Sequence, residues 1–231
     1  MASLGSVTWP DVPEGAFLVV PLGAVEQHGH HLPLLTDTLV ASAVASGAVE
    51  QIGGALLAPA LAYGASGEHE GFPGTISLGT EALTSLLVEY GRSACRWAGR
   101  VLLVNGNGGN LDALRAAGGV LRSEGRDVAW WPCAVPGGDA HAGRTETSLL
   151  LHVEPDEVDG ARAVAGVTTP LARLLPRLRA EGVRPVSPTG VLGDPTGASA
   201  AEGSELLADL VSRLVAAVAG WSVDAAGRLR P

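Results

Sequence analysis

Glu26, His28 and Asp37 are the residues whose types and spacing best suit chemistry at a metal ion. They lie in EQHGHHLPLLTD, residues 26–37, which holds two carboxylates and three of the chain's six histidines. In an extended segment residues i and i+2 point the same way, so Glu26 and His28 can face one point. Asp37 can close on that point once the loop has turned. Carboxylates mixed with imidazoles suit Zn, Fe or Mn rather than Ca. The competing reading is that Thr36 or Asp37 only caps the helix that follows. His30 and His31 either orient a ligand or are solvated loop residues.

Three further segments carry candidate chemistry. HAGRTETS, residues 141–148, places His141 in a glycine loop ahead of Glu146. Glu146 there either complements the dipole of a helix N-terminus or joins His141 as a ligand or acid–base pair. SGEHEGFPGT, residues 66–75, holds Glu68, His69 and Glu70, as a substrate wall or a solvent loop. NGNGGN, residues 105–110, follows an apolar run but fits neither GxGxxG nor the P-loop, and the chain has no lysine to serve the latter. Its glycines suit close approach of backbone to a site. His152 reads as a structural or surface histidine. Trp130 and Trp131 read as core, with one of them available to line a pocket.

The elements that must position these residues follow from periodicity. Apolar runs predict strands at 17–22 (closed by Pro21 and Gly23), 56–59, 100–105 and 127–131, with a short strand at 75–78. Helical spacing predicts helices over 37–51, 81–97, 111–124 and 200–221, one beginning near Thr145, and a short one around 171–179. Residues 155–198 read as mostly irregular, a lid or an interface. Near-continuous apolar strands alternating with helices indicate a three-layer α/β/α fold on a mostly parallel sheet, as one domain over residues 1–231.

Composition sets the outer limits. The chain has 231 residues, 46% hydrophobic and 17% charged, which suits a packed globular protein. A formal charge of −9 argues against nucleic acid or an anionic membrane as partner. Cys95 and Cys133 form no CxxC motif, so reduced thiols in a cytoplasmic protein are expected. The first fifteen residues do not read as a signal peptide, and no apolar stretch reaches the length of a membrane span.

Taken together and in order, PLGAVEQHGHHLPLLTD, GEHEGFPGT, VNGNGGN and GGDAHAGRTETS resemble the creatininase family of amidohydrolases. The resemblance implies a creatininase-like fold, a homo-oligomer, and one or two divalent ions, Zn or Fe and also Mn. It implies Glu26, His28 and Asp37 as ligands, with Asp37 as the bridge. Asn107 stands where many members have a ligand histidine, and Gly109 where creatininase has a glutamate. Glu146 then supplies the missing carboxylate, and His30 is a candidate for the missing imidazole. His141 matches a histidine near the reacting group, and Arg144 is placed to bind a peptide carboxylate, with Glu68 and His69 on the substrate wall.

The mycofactocin-system branch is the most similar. It implies a peptidase whose substrate is a modified ribosomal precursor peptide, decarboxylated and crosslinked at its C-terminal Val-Tyr. Hydrolysis would release that piece as a small heterocyclic amine. The alternatives are a small cyclic-amide or formamide hydrolase, and a non-catalytic scaffold that has lost its metal at Asn107.

Overall fold

The computed structural model describes residues 2–230. Five strands, β1 (Ala2–Ser3), β2 (Ala16–Leu22), β3 (Ala55–Leu57), β4 (Ala98–Asn105) and β5 (Val128–Pro132), form one sheet in the order β1-β3-β2-β4-β5. Every pairing in it is parallel. A short antiparallel pair, β6 (Ser222–Val223) and β7 (Leu229–Arg230), lies beside β5, to which a bridge between Trp130 and Arg228 joins it. The helices are α1 (Thr36–Gln51), α2 (Gly79–Ala94), α3 (Leu111–Ser123), α4 (Arg144–Val153), α5 (Leu171–Glu181) and α6 (Ala200–Gly220).

A parallel sheet covered on both faces needs strands that are apolar on both faces. Alternate residues of the central strands meet that demand. Leu18, Val20, Leu22, Val101 and Leu103 pack with Leu83 and Leu87 of α2 and Leu114 and Leu121 of α3. Val19, Leu102 and Val104 face the other way, onto Val44 of α1, Leu150 of α4 and Leu214 of α6. The result is the expected three-layer α/β/α arrangement. Trp130 and Trp131 end in opposite layers, 2% and 5% exposed, so both are core rather than pocket. His152 lies on the surface.

The first predicted strand runs through Pro21 to Leu22 as expected, and two other expectations shift. Pro21 pairs with Val104 of β4, and its carbonyl accepts from Leu61 beyond the end of β3, where a missing N–H breaks no regular ladder. Residues 75–78 form no strand; they make a single antiparallel bridge, Val25 to Ile76. The second long helix ends at Ala94 rather than Trp97, and the next strand begins earlier, at Ala98. A turn over 95–97 is needed because the Trp97 carbonyl accepts from Gly15, which sets β4 beside β2.

Among the described residues no helix is long and apolar enough to cross a membrane. The loops after β2, β4 and β5 leave the same edge, the carboxyl end of the strands, where open α/β sheets place their sites.

Candidate metal centre

The loop after β2 starts at Gly23, where a Cβ would lie 2.2 Å from Thr38 Oγ1, so only glycine lets the chain pass the start of α1. His28 Nδ1–H donates to the Glu26 carbonyl at 3.1 Å. That bond leaves Nε2 facing Asp37 Oδ1 at 3.2 Å and Glu146 Oε2 at 3.8 Å. Glu26 Oε1 lies 3.2 Å from His69 Nε2 and 3.7 Å from His141 Nδ1. Donor atoms of Glu26, His28 and Asp37 lie within 4.8 Å of one another, as do those of His28, His141 and Glu146 and of Glu26, His69 and His141. Ligands of a tetrahedral ion held at 2.0–2.1 Å are about 3.3 Å apart, so these spacings suit a common ion.

Asp37 does not cap α1, whose N-cap, Leu35, has no side-chain cap bond; Thr36 donates to the Pro33 carbonyl instead. Glu146 reaches the cluster from the first turn of α4, and its Oε2 accepts from the Ala142 amide at 2.6 Å. Ala142 holds φ 51, a left-handed conformation that disfavours residues with a side chain. Such strain collects at functional sites.

The electrostatics call for a cation. Burial, followed by the nearby Asp37, pushes the Glu26 carboxyl well above its ordinary range. Burial also raises Glu146 to about 7. Burial disfavours a charged His28, but the charge and hydrogen bond of Asp37, then Glu146 and Glu26, outweigh it and push the ring up to about 10. Burial and the neighbouring His28 push His69 down to about 3 and His141 well below its usual value. Three carboxyl groups thus face one imidazole in a largely buried cluster. Glu26 Oε2 and Asp37 Oδ2 are buried and find no hydrogen-bond partner among the described residues. Unpaired buried anionic oxygens are costly, and a divalent ion would satisfy both. The donor set fits such an ion.

The family model for creatininase, described as creatinine amidohydrolase, matches residues 5–218. The chain belongs to the creatininase family. It is 56% identical over 217 residues to the "Mycofactocin precursor peptide peptidase" of Mycolicibacterium smegmatis, covering 92% of this chain and 88% of that one. A solved manganese creatininase superposes with TM-score 0.77 at 30% identity, covering 95% of this chain and 98% of that one. A solved Zn–Zn type creatininase variant gives 0.76 at 30% identity with the same coverage. This creatininase-family chain is accordingly an enzyme, a hydrolase of C–N amide bonds.

The family pattern sharpens the reading of individual residues. Asn107, an expected ligand, has its amide engaged elsewhere: Oδ1 accepts from Gly109 at 2.8 Å, and Nδ2 donates to the Ala65 carbonyl at 3.1 Å. It caps the turn after β4 and also lines the cavity that holds Asp37 and Glu146. His30 is exposed and supplies no imidazole to the cluster. Gly29 takes φ 67, which breaks the extended alternation and turns His30 outward. His69 lines the same cavity as Glu68, as a substrate wall would, and it is also buried against Glu26.

Glu68 and Arg144 line different cavities. Glu68 borders one of about 1100 Å³, with Arg115, Leu175 and Arg184. Arg144 borders one of about 850 Å³ and is paired with Glu202 at 2.8 Å. The two cavities meet at Asp37 and Glu146. Residues 155–198 supply walls to both: α5 lines the first, and 167–171 and 192–194 the second. A backbone bridge between His141 and Leu192 ties this segment to the HAG loop.

Gln27 is the residue that sequence reasoning missed. It is 4% exposed, and its amide meets His69, His141, Gly29 and Gly190. The available signal was an uncharged polar residue lodged between two ligand candidates on a loop.

Proposed function

We propose that this chain is a metal-dependent peptidase that cuts the modified mycofactocin precursor peptide and releases its crosslinked, Val-Tyr-derived C-terminal piece. The observation that carries this reading is the position of the centre. It lies where two cavities of about 1100 and 850 Å³ meet, which leaves room for substrate on both sides of a scissile bond. A ligand no larger than a cyclic amide needs far less space. The 56% identity to a peptidase of that precursor supports the same substrate.

Glu26, His28, Asp37 and Glu146 would hold one or two divalent ions, zinc or manganese as in the solved relatives, with iron equally suited to this donor set. A bound ion supplies Lewis-acid polarisation of the scissile carbonyl and activation of water. The protein's part is to place and move protons. Hydrolysis puts the water oxygen on the acyl carbon and a proton on the leaving nitrogen. His141 is suited to carry that proton. Its Nε2–H is held by the Gln27 carbonyl at 2.7 Å, which leaves the Nδ1 lone pair toward the cluster. Being neutral, Nδ1 can take a proton from the attacking water and return it to the amine. Glu68 and Arg144 contact substrate on opposite sides of the centre in this reading. The enzyme works in the cytoplasm as a homo-oligomer.

The test is hydrolysis of the crosslinked precursor beside a panel containing creatinine and small formamides. Release of the C-terminal piece is expected. Turnover of the small amides alone would replace the peptidase reading, and elemental analysis of the active protein would identify the metal and its count.

A further inference from the structure

We infer that Gln27 is a positioning residue that sets two neighbouring imidazoles in opposite roles, making His69 a proton donor to Glu26 and turning a lone pair of His141 toward the metal. The inference rests on the metal-centre reading for its effect on turnover, but not for its geometry.

The orientation of the Gln27 amide is determined by its surroundings. Oε1 accepts from the Gly29 amide at 2.9 Å, and Nε2 donates to the Gly190 carbonyl at 3.1 Å. A flipped amide would set N–H against N–H at Gly29 and oxygen against oxygen at Gly190. One Nε2 hydrogen remains, with two rings near it: His69 Nδ1 at 2.8 Å and His141 Nε2 at 3.0 Å. His141 Nε2 lies 2.7 Å from the Gln27 carbonyl, so it is itself a donor and cannot accept. The hydrogen therefore goes to His69 Nδ1.

The consequences follow from imidazole chemistry. His69, accepting at Nδ1, carries its proton on Nε2, 3.2 Å from Glu26 Oε1. A protonated Nε2 cannot ligate a metal, so His69 steadies Glu26 and leaves the unpartnered Oε2 for the ion. His141, donating at Nε2, keeps its lone pair on Nδ1. The ring centroids are only 4.4 Å apart, yet one ring presents a hydrogen and the other a lone pair.

Gly190 completes the device. It adopts φ +82, and a Cβ there would fall 1.8 Å from Gln27 Oε1, so the clasp over Gln27 admits only glycine.

The experiment is solid-state ¹⁵N NMR of histidine-labelled full-length protein, recorded before and after zinc loading, with His69→Asn and His141→Asn to assign the rings. Expected for the native chain is a bare Nδ1 and a protonated, zinc-free Nε2 on His69 in both samples, and on His141 a protonated Nε2 against the Gln27 carbonyl with the bare Nδ1 facing the cluster. Gln27→Leu should release His69 into the Nδ1–H form or onto zinc. Gln27→Glu, an acceptor, should drive it to Nδ1–H. In both variants kcat should fall about 10–100-fold with little change in KM.

A zinc-bound His69 Nε2 in the native chain overturns the inference without any substitution. So does a His69 tautomer unchanged in both variants. Zinc uptake, measured separately on the same samples, reports on the metal reading alone. A zinc-free protein with the expected tautomers would sink that reading and leave the role of Gln27 standing.

Discussion

Two polar loops leave adjacent strands at the same sheet edge, and they are built on opposite principles. The loop after β2 carries Glu26, His28 and Asp37, and two of its buried carboxylate oxygens have no partner among the described residues. The end of β4 and the loop after it carry Asn105, Asn107 and Asn110, equally buried, and their amides are paired. Asn110 accepts from Ala65 and donates to the Gly23 carbonyl and to Asn105 Oδ1, while Asn105 donates to the Asn107 carbonyl. One loop holds unmet charge in a dry place. The other is a neutral, satisfied network that ties together the chain segments around it. Burial alone does not mark a reactive site; burial with unfilled bonding capacity does.

The largest effect should come from removing that charge. Glu26→Ala and Asp37→Ala should each lower kcat/KM at least about 10³-fold and reduce metal per subunit. The fold should survive, because each substitution removes an unpaired buried oxygen. Peptide hydrolysis, elemental analysis and circular dichroism check this, and full activity in both variants would erase the contrast between the loops. Asn110→Ala should do the reverse. It strips four partners from a buried network and should cost about 3 kcal/mol of stability in urea unfolding, with any loss of metal following from loosened backbone.

pH should separate the loops next, since only one of them titrates. In the metal-free protein His28 is raised from 6.5 to about 10, and Glu146 from 4.5 to about 7. The stabilisation from charged His28 is complete below pH 6.5 and fades as pH climbs toward 10. The penalty for burying ionised Glu146 appears as pH rises from 4.5 through 7. Both trends weaken the metal-free fold at higher pH. Ligation requires both protons to leave, so zinc affinity should strengthen over the same range. Thermal midpoints with and without zinc should diverge as pH increases; parallel curves would refute the assignment. The smallest effect is expected for Asn107→Ala, about 1 kcal/mol of stability with zinc per subunit unchanged. A loss of zinc there would place Asn107 in the ligand set.

What the sequence disclosed and what it hid divide along contact range. Val19, Leu102 and their neighbours announce strands buried on both faces, because a run of apolar residues needs no tertiary information to be read. Glu26, His28 and Asp37 were visible because they share one short loop. His30 misled because its direction depends on the left-handed Gly29, which the spacing of side chains does not reveal. The contact of His69 with Glu26 was not legible because the two residues lie on different loops. Gln27 was passed over because its meaning depends on a carbonyl 163 residues away and on glycine at that position. Asn107 was read by its alignment with a ligand, and its bonds to Gly109 and Ala65 were not legible because Ala65 lies on another loop.

The clasp between Gln27 and Gly190 also has a bearing on the order of synthesis. Every charged residue of the centre has been translated once Glu146 is made. The carbonyl that orients Gln27 and the bridge from Leu192 to His141 are translated more than forty residues later. A nascent chain therefore carries its reactive groups well before it can aim them, and hydrolytic competence arrives only when the last third of the polypeptide folds back over the first loop.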